Sequence, residues 1–106
     1  LGLRYTIEGA LVQALSRTLF EEVQFAPDKV VSVDWNTYPI LDIQDAPEKI
    51  EVVLINRPEA APTGAGEATC RVVPAAMANA FFDATGVRVR QAPLSPSRVL
   101  TLLAKA

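Results

Sequence analysis

Residues 7–23, IEGALVQALSRTLFEEV, place their apolar side chains at helical spacing. Leu11, Leu15 and Leu19 recur at steps of four, and polar or charged side chains take the opposite side. This amphipathic pattern predicts a helix over residues 7–23, the first and longest of the predicted elements.

The start of this helix contains a residue that the helix itself does not favour. Thr6 is expected to cap the helix, and Glu8 suits the positive end of the helix dipole. Gly9 costs a helix about 1 kcal/mol relative to alanine. We therefore expect another group to approach the backbone closely at Gly9.

The rest of the chain predicts short strands and two further helices. Residues 31–36 alternate apolar and polar side chains, residues 50–55 are almost continuously apolar, and residues 87–91 alternate again. Residues 73–85 read as a helix that ends at Gly86, and Ser95 with Pro96 predicts the start of a last helix. The fold class predicted is α+β, two layers with helices packed on a small, mostly antiparallel sheet, in the order α-β-β-α-β-α.

Composition excludes several classes of function. The chain has 106 residues, half of them apolar, and a net charge of −2, which fits one soluble domain over residues 1–106 and gives no basic surface for nucleic acid. No apolar run is long enough to span a membrane. With no histidine and a single cysteine, Cys70, the chain offers no metal site of the usual Cys/His kind and no Ser-His-Asp triad. Because it opens on Leu1, we expect it to be cut from a longer protein.

Residues 62–69, PTGAGEAT, are the candidate site within the long irregular connection that starts at residue 56. Two glycines and a proline predict a tight turn, and Glu67 follows at the entrance to a helix. As a nucleotide-binding loop the segment is weak, because it lacks the lysine and Ser/Thr of a P-loop. Two interpretations stay open: Glu67 is an acid that stabilises a helix start, or the loop holds a carboxylate placed as a general base.

Several segments in order are similar to one known family. The segments "IEGALVQALSRTLFEEV", "VDWNTYPIL", "IEVVLI", "PTGAGEA" and "VPAAMANAFFDATGVRVR" resemble the C-terminal part of molybdopterin-binding large subunits of the xanthine dehydrogenase and aldehyde oxidase family. The bacterial branches that contain isoquinoline 1-oxidoreductase beta and nicotinate dehydrogenase subunits are the most similar. The resemblance covers nearly the whole chain.

The resemblance implies roles for individual residues. The glutamate of the family's glycine-x-glycine-glutamate segment is the catalytic base beside the molybdenum, and here it is Glu67. The residues whose backbone lines the metal centre are Gly64, Ala65, Gly66 and Ala68. No residue of the chain itself is expected to ligate the metal.

The same resemblance assigns the helix start to the cofactor. Glu8, Gly9 and Ala10 match a family segment that approaches the pterin, which accounts for the unfavourable glycine. Many family members have glutamine two residues before this glutamate, as a donor to the cofactor. Thr6 stands at that position, and its shorter side chain puts a direct contact in doubt.

The resemblance also implies the cofactor, the reaction and the partners. The full-length protein is expected to be a molybdenum hydroxylase of the bacterial cytoplasm or periplasm. It would carry molybdenum-molybdopterin, in the cytosine dinucleotide form, and oxidise an aromatic N-heterocycle or an aldehyde. Its partners would be the rest of the large subunit and an iron–sulfur small subunit. The 106-residue chain itself is expected to bind no cofactor and to be inactive. The alternative is a non-catalytic α+β module for binding or assembly.

Overall fold

The computed structural model describes residues 1–105 and contains three helices and two short strands. They are α1 (Gly2–Leu19), β1 (Phe25–Ala26), β2 (Lys29–Val30), α2 (Val73–Thr85) and α3 (Pro96–Leu103), with two 3₁₀ turns at Ile43–Asp45 and Thr69–Arg71. The strands are antiparallel, with Phe25 opposite Val30 and Ala26 opposite Lys29. The predicted α+β class is confirmed.

Helix α1 begins five residues earlier than the sequence predicts. It starts at Gly2, because the apolar spacing of four runs back to Leu3 and no residue before Thr6 interrupts it. Thr6 therefore does not cap the helix; its hydroxyl donates to the Gly2 carbonyl, 3.0 Å away, inside the first turns. Glu8 and Gly9 accordingly lie in the body of α1 and not at its start.

The other two helices begin where the sequence predicts. Helix α2 carries Pro74 in its first turn and ends at Gly86, whose left-handed backbone (φ 73°) lets its N–H donate to the Phe82 carbonyl at 2.7 Å. Glycine adopts that conformation without the steric cost that other residues incur. Helix α3 follows Ser95 and opens at Pro96. Local signals decide these boundaries.

The sheet within residues 1–105 is smaller than predicted, because none of the three predicted strands has a partner, and the two strands that do pair lie in residues 25–30. Residues 50–55 and 87–91 form no ladder within residues 1–105. Residues 34–37 turn instead, since the Asp34 carboxylate accepts from the backbone N–H groups of Asn36 (3.1 Å) and Thr37 (2.9 Å). A local side-chain bond of this kind competes with strand pairing. The bonds from Thr37 also hold the pKa of Asp34 below its usual value.

The core forms on a face of α1 made of small side chains. Ala10, Ala14 and Thr18 are buried there, and Val73 at the start of α2 packs against the same cluster with Leu15. The small side chains let other backbone segments approach closely, as at Leu94, whose N–H donates to the Thr18 carbonyl at 2.7 Å. The helices thus pack on one another, and not on the two-stranded hairpin.

An ion pair joins α3 to the segment that follows α1. Arg98 of α3 donates through Nη2 to both carboxylate oxygens of Glu22, at 3.0 and 3.1 Å, and through Nη1 to the Pro93 carbonyl at 2.9 Å. Both side chains are partly exposed, so solvent weakens the pair. None of the helices within residues 1–105 is long and apolar enough to cross a membrane.

The packing on α1 predicts that shortening a buried side chain lowers the stability of the chain far more than shortening an exposed one. We expect Leu15→Ala to lower the free energy of unfolding by about 2–5 kcal/mol, because it leaves a cavity beside the buried cluster. Val53→Ala is the control: Val53 is 86% exposed, so its truncation should change stability by less than about 0.5 kcal/mol. Urea denaturation of the 106-residue chain measures both, and equal losses would contradict this placement of the core.

Candidate functional site

Glu67 lies in an exposed bend just before the second 3₁₀ turn. The bend occupies Gly66 and Glu67, and the turn Thr69–Arg71 leads directly into α2. The Glu67 carboxylate makes no hydrogen bond or ion pair within residues 1–105, and its side chain is open to solvent. The carboxylate is therefore free to meet a group that comes from outside these residues.

Cys70 connects this bend to α1. Its Sγ donates to the Ala10 carbonyl at 3.2 Å, between residues 60 positions apart in the chain. Cys70 follows Glu67 by three residues, so their Cα atoms are at most about 11 Å apart. The chain that directly follows the glycine-rich bend is thus tied to Ala10 in α1.

Glu8 and Gly9 line an apolar groove along one side of α1. The groove has a volume of about 730 Å³ and lies between α1 and residues 40–50. Its lining comprises Tyr5, Glu8, Gly9, Val12, Gln13, Ser16, Glu21, Ile40, Leu41, Ile43, Ala46, Pro47 and Ile50. The residues 64–68 and Thr6 do not line it. Ala10 turns its side chain into the core, so only its backbone is available near the groove.

Three glycines of these segments have open space where a side chain would stand. A Cβ added at Gly9, Gly64 or Gly66 would meet no atom within 4 Å, and none of the three has a positive φ. Neither the local backbone nor a neighbouring group within residues 1–105 therefore requires glycine at these positions. What the three positions share is backbone that a ligand or another part of the protein can reach directly.

A hydrogen-bond network holds the far wall of the groove against α1. The buried Ser16 hydroxyl donates to Glu21 at 2.6 Å and accepts from the Leu41 N–H at 3.0 Å. The Tyr38 hydroxyl donates to the other Glu21 oxygen at 2.9 Å. This bond to the Glu21 carboxylate raises the pKa of Tyr38 above its ordinary value, because ionised tyrosine can no longer donate.

A second cleft, of about 690 Å³, lies beside α3 and contains four basic side chains. Two of them hold elements of the chain together. Arg98 binds Glu22, and Arg88 donates to Asn79 at 2.8 Å while its guanidinium lies 3.7 Å from the centre of the Phe82 ring. We therefore assign the cleft a structural role. Among residues 1–105, no three or more Cys, Asp and Glu side chains come together in a way that could hold a metal ion.

Sequence reasoning misses the connection through Cys70 and two groove residues. As the single cysteine, Cys70 reads as a small buried side chain, whereas it is half-buried and donates to α1. Tyr5 reaches the groove because α1 extends back to Gly2, and Gln13 lies on the same side of the helix. The spacing of Tyr5, Glu8, Val12 and Gln13 on one side of a helix is the signal that could have found them.

The chain is similar to segments of much longer bacterial proteins. It is 41% identical over 102 residues to a nicotinate dehydrogenase subunit of Pseudomonas putida, and 32% identical over 91 residues to the beta subunit of isoquinoline 1-oxidoreductase of Brevundimonas diminuta. A membrane-bound aldehyde dehydrogenase named for pyrroloquinoline quinone, from Gluconacetobacter polyoxogenes, is 38% identical over 99 residues. These matches cover 96%, 86% and 93% of this chain but only 8%, 11% and 12% of the relatives.

A solved structure has the same fold over nearly the whole chain. The crystal structure of quinoline 2-oxidoreductase from Pseudomonas putida 86 matches with a TM-score of 0.77 and 25% identity, over 96% of this chain and 14% of that one. No protein-family model matches. The chain therefore spans about a tenth of the length of the oxidoreductases that it resembles.

The network around Glu21 predicts a pH dependence for the groove wall. Because the pKa of Tyr38 is raised, its bond to Glu21 contributes stability below pH 10 and loses it as the phenol ionises above that value. We expect Glu21→Gln to move the ionisation of Tyr38 to lower pH, since the charged acceptor is removed. Near-ultraviolet absorbance of tyrosinate measures this in a Tyr5→Phe background, where Tyr38 is the one remaining tyrosine. An unchanged titration curve would show that the bond does not persist in solution.

Proposed function

Because the chain is related to the molybdopterin-binding subunits of the xanthine dehydrogenase family, we propose that it forms part of a molybdenum hydroxylase. The resemblance read from the ordered segments of the sequence is confirmed by these relatives. The proposed reaction is oxidation of an N-heterocycle or an aldehyde with oxygen derived from water. The structural observation that supports this proposal is the bond from Cys70, three residues after Glu67, to the Ala10 carbonyl.

We assign Glu67 the role of general base. A molybdenum–pterin centre supplies, when bound, the acceptor for two electrons and the site of the water-derived oxygen. Glu67 would act there through its carboxylate, as the base that accepts the proton released in the reaction. A carboxylate acts as a base near neutral pH when burial raises its proton affinity. Since the bend is exposed in residues 1–105, the groups that bury it would come from the rest of the subunit.

The proposed contacts of the chain with the cofactor are mainly through backbone groups, and glycines leave those groups accessible. Gly9, Gly64 and Gly66 leave open space in which a large planar group can approach the peptide groups. The proposed cofactor-binding residues are Glu8, Gly9, Ala10, Gly64, Ala65, Gly66 and Ala68. Thr6 is the weakest of the predicted contacts, because its hydroxyl is already engaged with the Gly2 carbonyl.

The names of the relatives bear on two questions, the assembly of subunits and the identity of the cofactor. Two of the relatives are named as subunits, which supports an assembly of several subunits. The neighbours that we propose for this chain are the rest of a large subunit and an iron–sulfur small subunit. The name of the third gives pyrroloquinoline quinone. Molybdopterin, in the cytosine dinucleotide form, is the cofactor we propose, and elemental analysis separates it from a quinone because only the first brings molybdenum.

The role of Glu67 is tested by Glu67→Gln in the full-length protein. Removing the base should lower kcat by about 100- to 10,000-fold, while the molybdenum content stays that of the wild type. Glu59→Gln is the matched control, because Glu59 is another exposed carboxylate of the same connection and pairs only with Arg57. Assays of turnover and elemental analysis measure the outcome. Wild-type turnover in Glu67→Gln would refute the assignment, and a wild-type protein without molybdenum would refute the molybdenum hydroxylase.

The role of Gly9 is tested by separating stability from cofactor binding. Gly9→Ala removes an unfavourable helix residue and meets no neighbour in residues 1–105, so α1 should gain up to about 1 kcal/mol. In the full-length protein the added methyl group would intrude on the cofactor, so we expect the molybdenum content to fall.

Gly2→Ala is the matched control for Gly9→Ala. Gly2 lies in the same helix with equally open space, yet outside the groove, and its substitution should leave molybdenum unchanged. Full molybdenum content in both variants would contradict a close approach at Gly9.

A further inference from the structure

Residues 50–55, IEVVLI, are a strand-forming segment that this chain leaves without a partner. Five of the six residues are β-branched or leucine, and neither proline nor glycine interrupts them. Val53 is 86% exposed and Ile55 81% exposed. Soluble proteins do not leave such a segment open to water, because it is a template for pairing and aggregation.

The backbone of this segment is as open as its side chains. Within residues 1–105, no backbone–backbone hydrogen bond involves residues 50–55; the one bond to their backbone is from Arg4 to the Val52 carbonyl at 3.4 Å, and the Glu51 side chain pairs with Lys49. The remaining N–H and C=O groups are those that a neighbouring strand would take up.

Both faces of the segment carry large apolar side chains, with Glu51 at one end as the single charged residue, and this pattern indicates an interior strand. Ile50 and Val52 are half-buried on the side of α1, where Ile50 lines the groove. Val53 and Ile55 point away and have no cover. An apolar run with both faces covered is typical of a strand inside a sheet and not at its edge.

The amount of surface that the chain leaves exposed decides between the possible partners of residues 50–55. The chain exposes 8247 Å², whereas a compact protein of its 11.4 kDa exposes about 5,800 Å². Its radius of gyration is 16.8 Å, against about 13 Å for a compact chain of this length. A second copy paired along one strand covers about 800 Å² per partner, which leaves most of the excess exposed. Polypeptide as long as that of the relatives, of which this chain spans about a tenth, has enough surface to cover it.

We propose that residues 50–55 are an interior strand of a sheet whose other strands belong to the longer polypeptide outside residues 1–106. This inference rests on the proposed function in one respect, the assignment of the chain to a larger subunit. It does not depend on the role of Glu67 or on the identity of the cofactor. The open N–H and C=O groups of the segment bind the neighbouring strands, and its apolar side chains on both faces lie between layers of that subunit.

Hydrogen exchange of the full-length protein, followed by mass spectrometry, tests the strand. Amides of residues 50–55 should exchange at least about 1,000-fold more slowly than unstructured amides, as those of α1 and α2 do. Exchange at the unstructured rate in residues 50–55, with α1 and α2 protected, overturns the proposal. Protection that disappears on dilution to the monomer also overturns it, in favour of a second copy as the partner.

A charge placed in the segment gives a second test. Val53→Asp in the full-length protein should raise the exchange rate of residues 50–55 by at least about tenfold, because a charge cannot be buried between apolar layers without a partner. Asn36→Asp is the control, since it adds the same charge at an exposed turn. Equal exchange in the two variants overturns the proposal.

The exchange experiments also separate this proposal from the proposed function. Glu67→Gln should lose turnover and keep the protection of residues 50–55. A full-length protein that contains no molybdenum and still protects these residues refutes the hydroxylase and supports the strand.

Discussion

The small-residue face of α1 is the constraint on which the rest of the structure depends. Ala10, Ala14 and Thr18 allow three segments to approach the helix backbone closely. Cys70 reaches the Ala10 carbonyl, Val73 packs beside Ala14, and the Leu94 N–H reaches the Thr18 carbonyl. Larger side chains would separate these contacts, since overpacking a close-packed interface forces backbone shifts. One helix face thus positions both the glycine-rich bend and the C-terminal part of the chain.

The sequence predicts those elements whose signals are local. Pro74 and Gly86 mark both ends of α2, and Pro96 marks the start of α3, because each residue restricts its own backbone. The predicted start of α1 is wrong, since Thr6 is equally compatible with a cap and with the interior of a helix. The strands could not be predicted from their own residues, because a ladder depends on a partner that the pattern does not name.

In the candidate site too, local sequence signals predict one part, and contacts between distant residues determine the rest. Physical reasoning on residues 62–69 predicts a turn that carries an acid, and the assignment of Glu67 as a base comes from the family resemblance. The structure adds a bond from Cys70, three residues after Glu67, to the Ala10 carbonyl, a contact across 60 positions that no spacing rule could reveal. The cofactor and substrate depend on surfaces beyond residues 1–105, so neither the sequence pattern nor this fold specifies them.

The two sides of α1 explain why the groove lies opposite the packed core of the chain. At about 100° per residue, Glu8, Gly9 and Val12 lie on the side of the helix opposite Ala10 and Ala14. The chain packs its own helices on the small-residue face, whereas the other side of α1, its groove face, borders the open groove, whose far wall is formed by residues 40–50. Gly9 weakens the helix by about 1 kcal/mol, and nothing within residues 1–105 offsets that cost. A group that binds the folded state and not the unfolded one would offset it by mass action. The stability of this chain is therefore coupled to whatever occupies the groove face, and folding and assembly draw on the same surface.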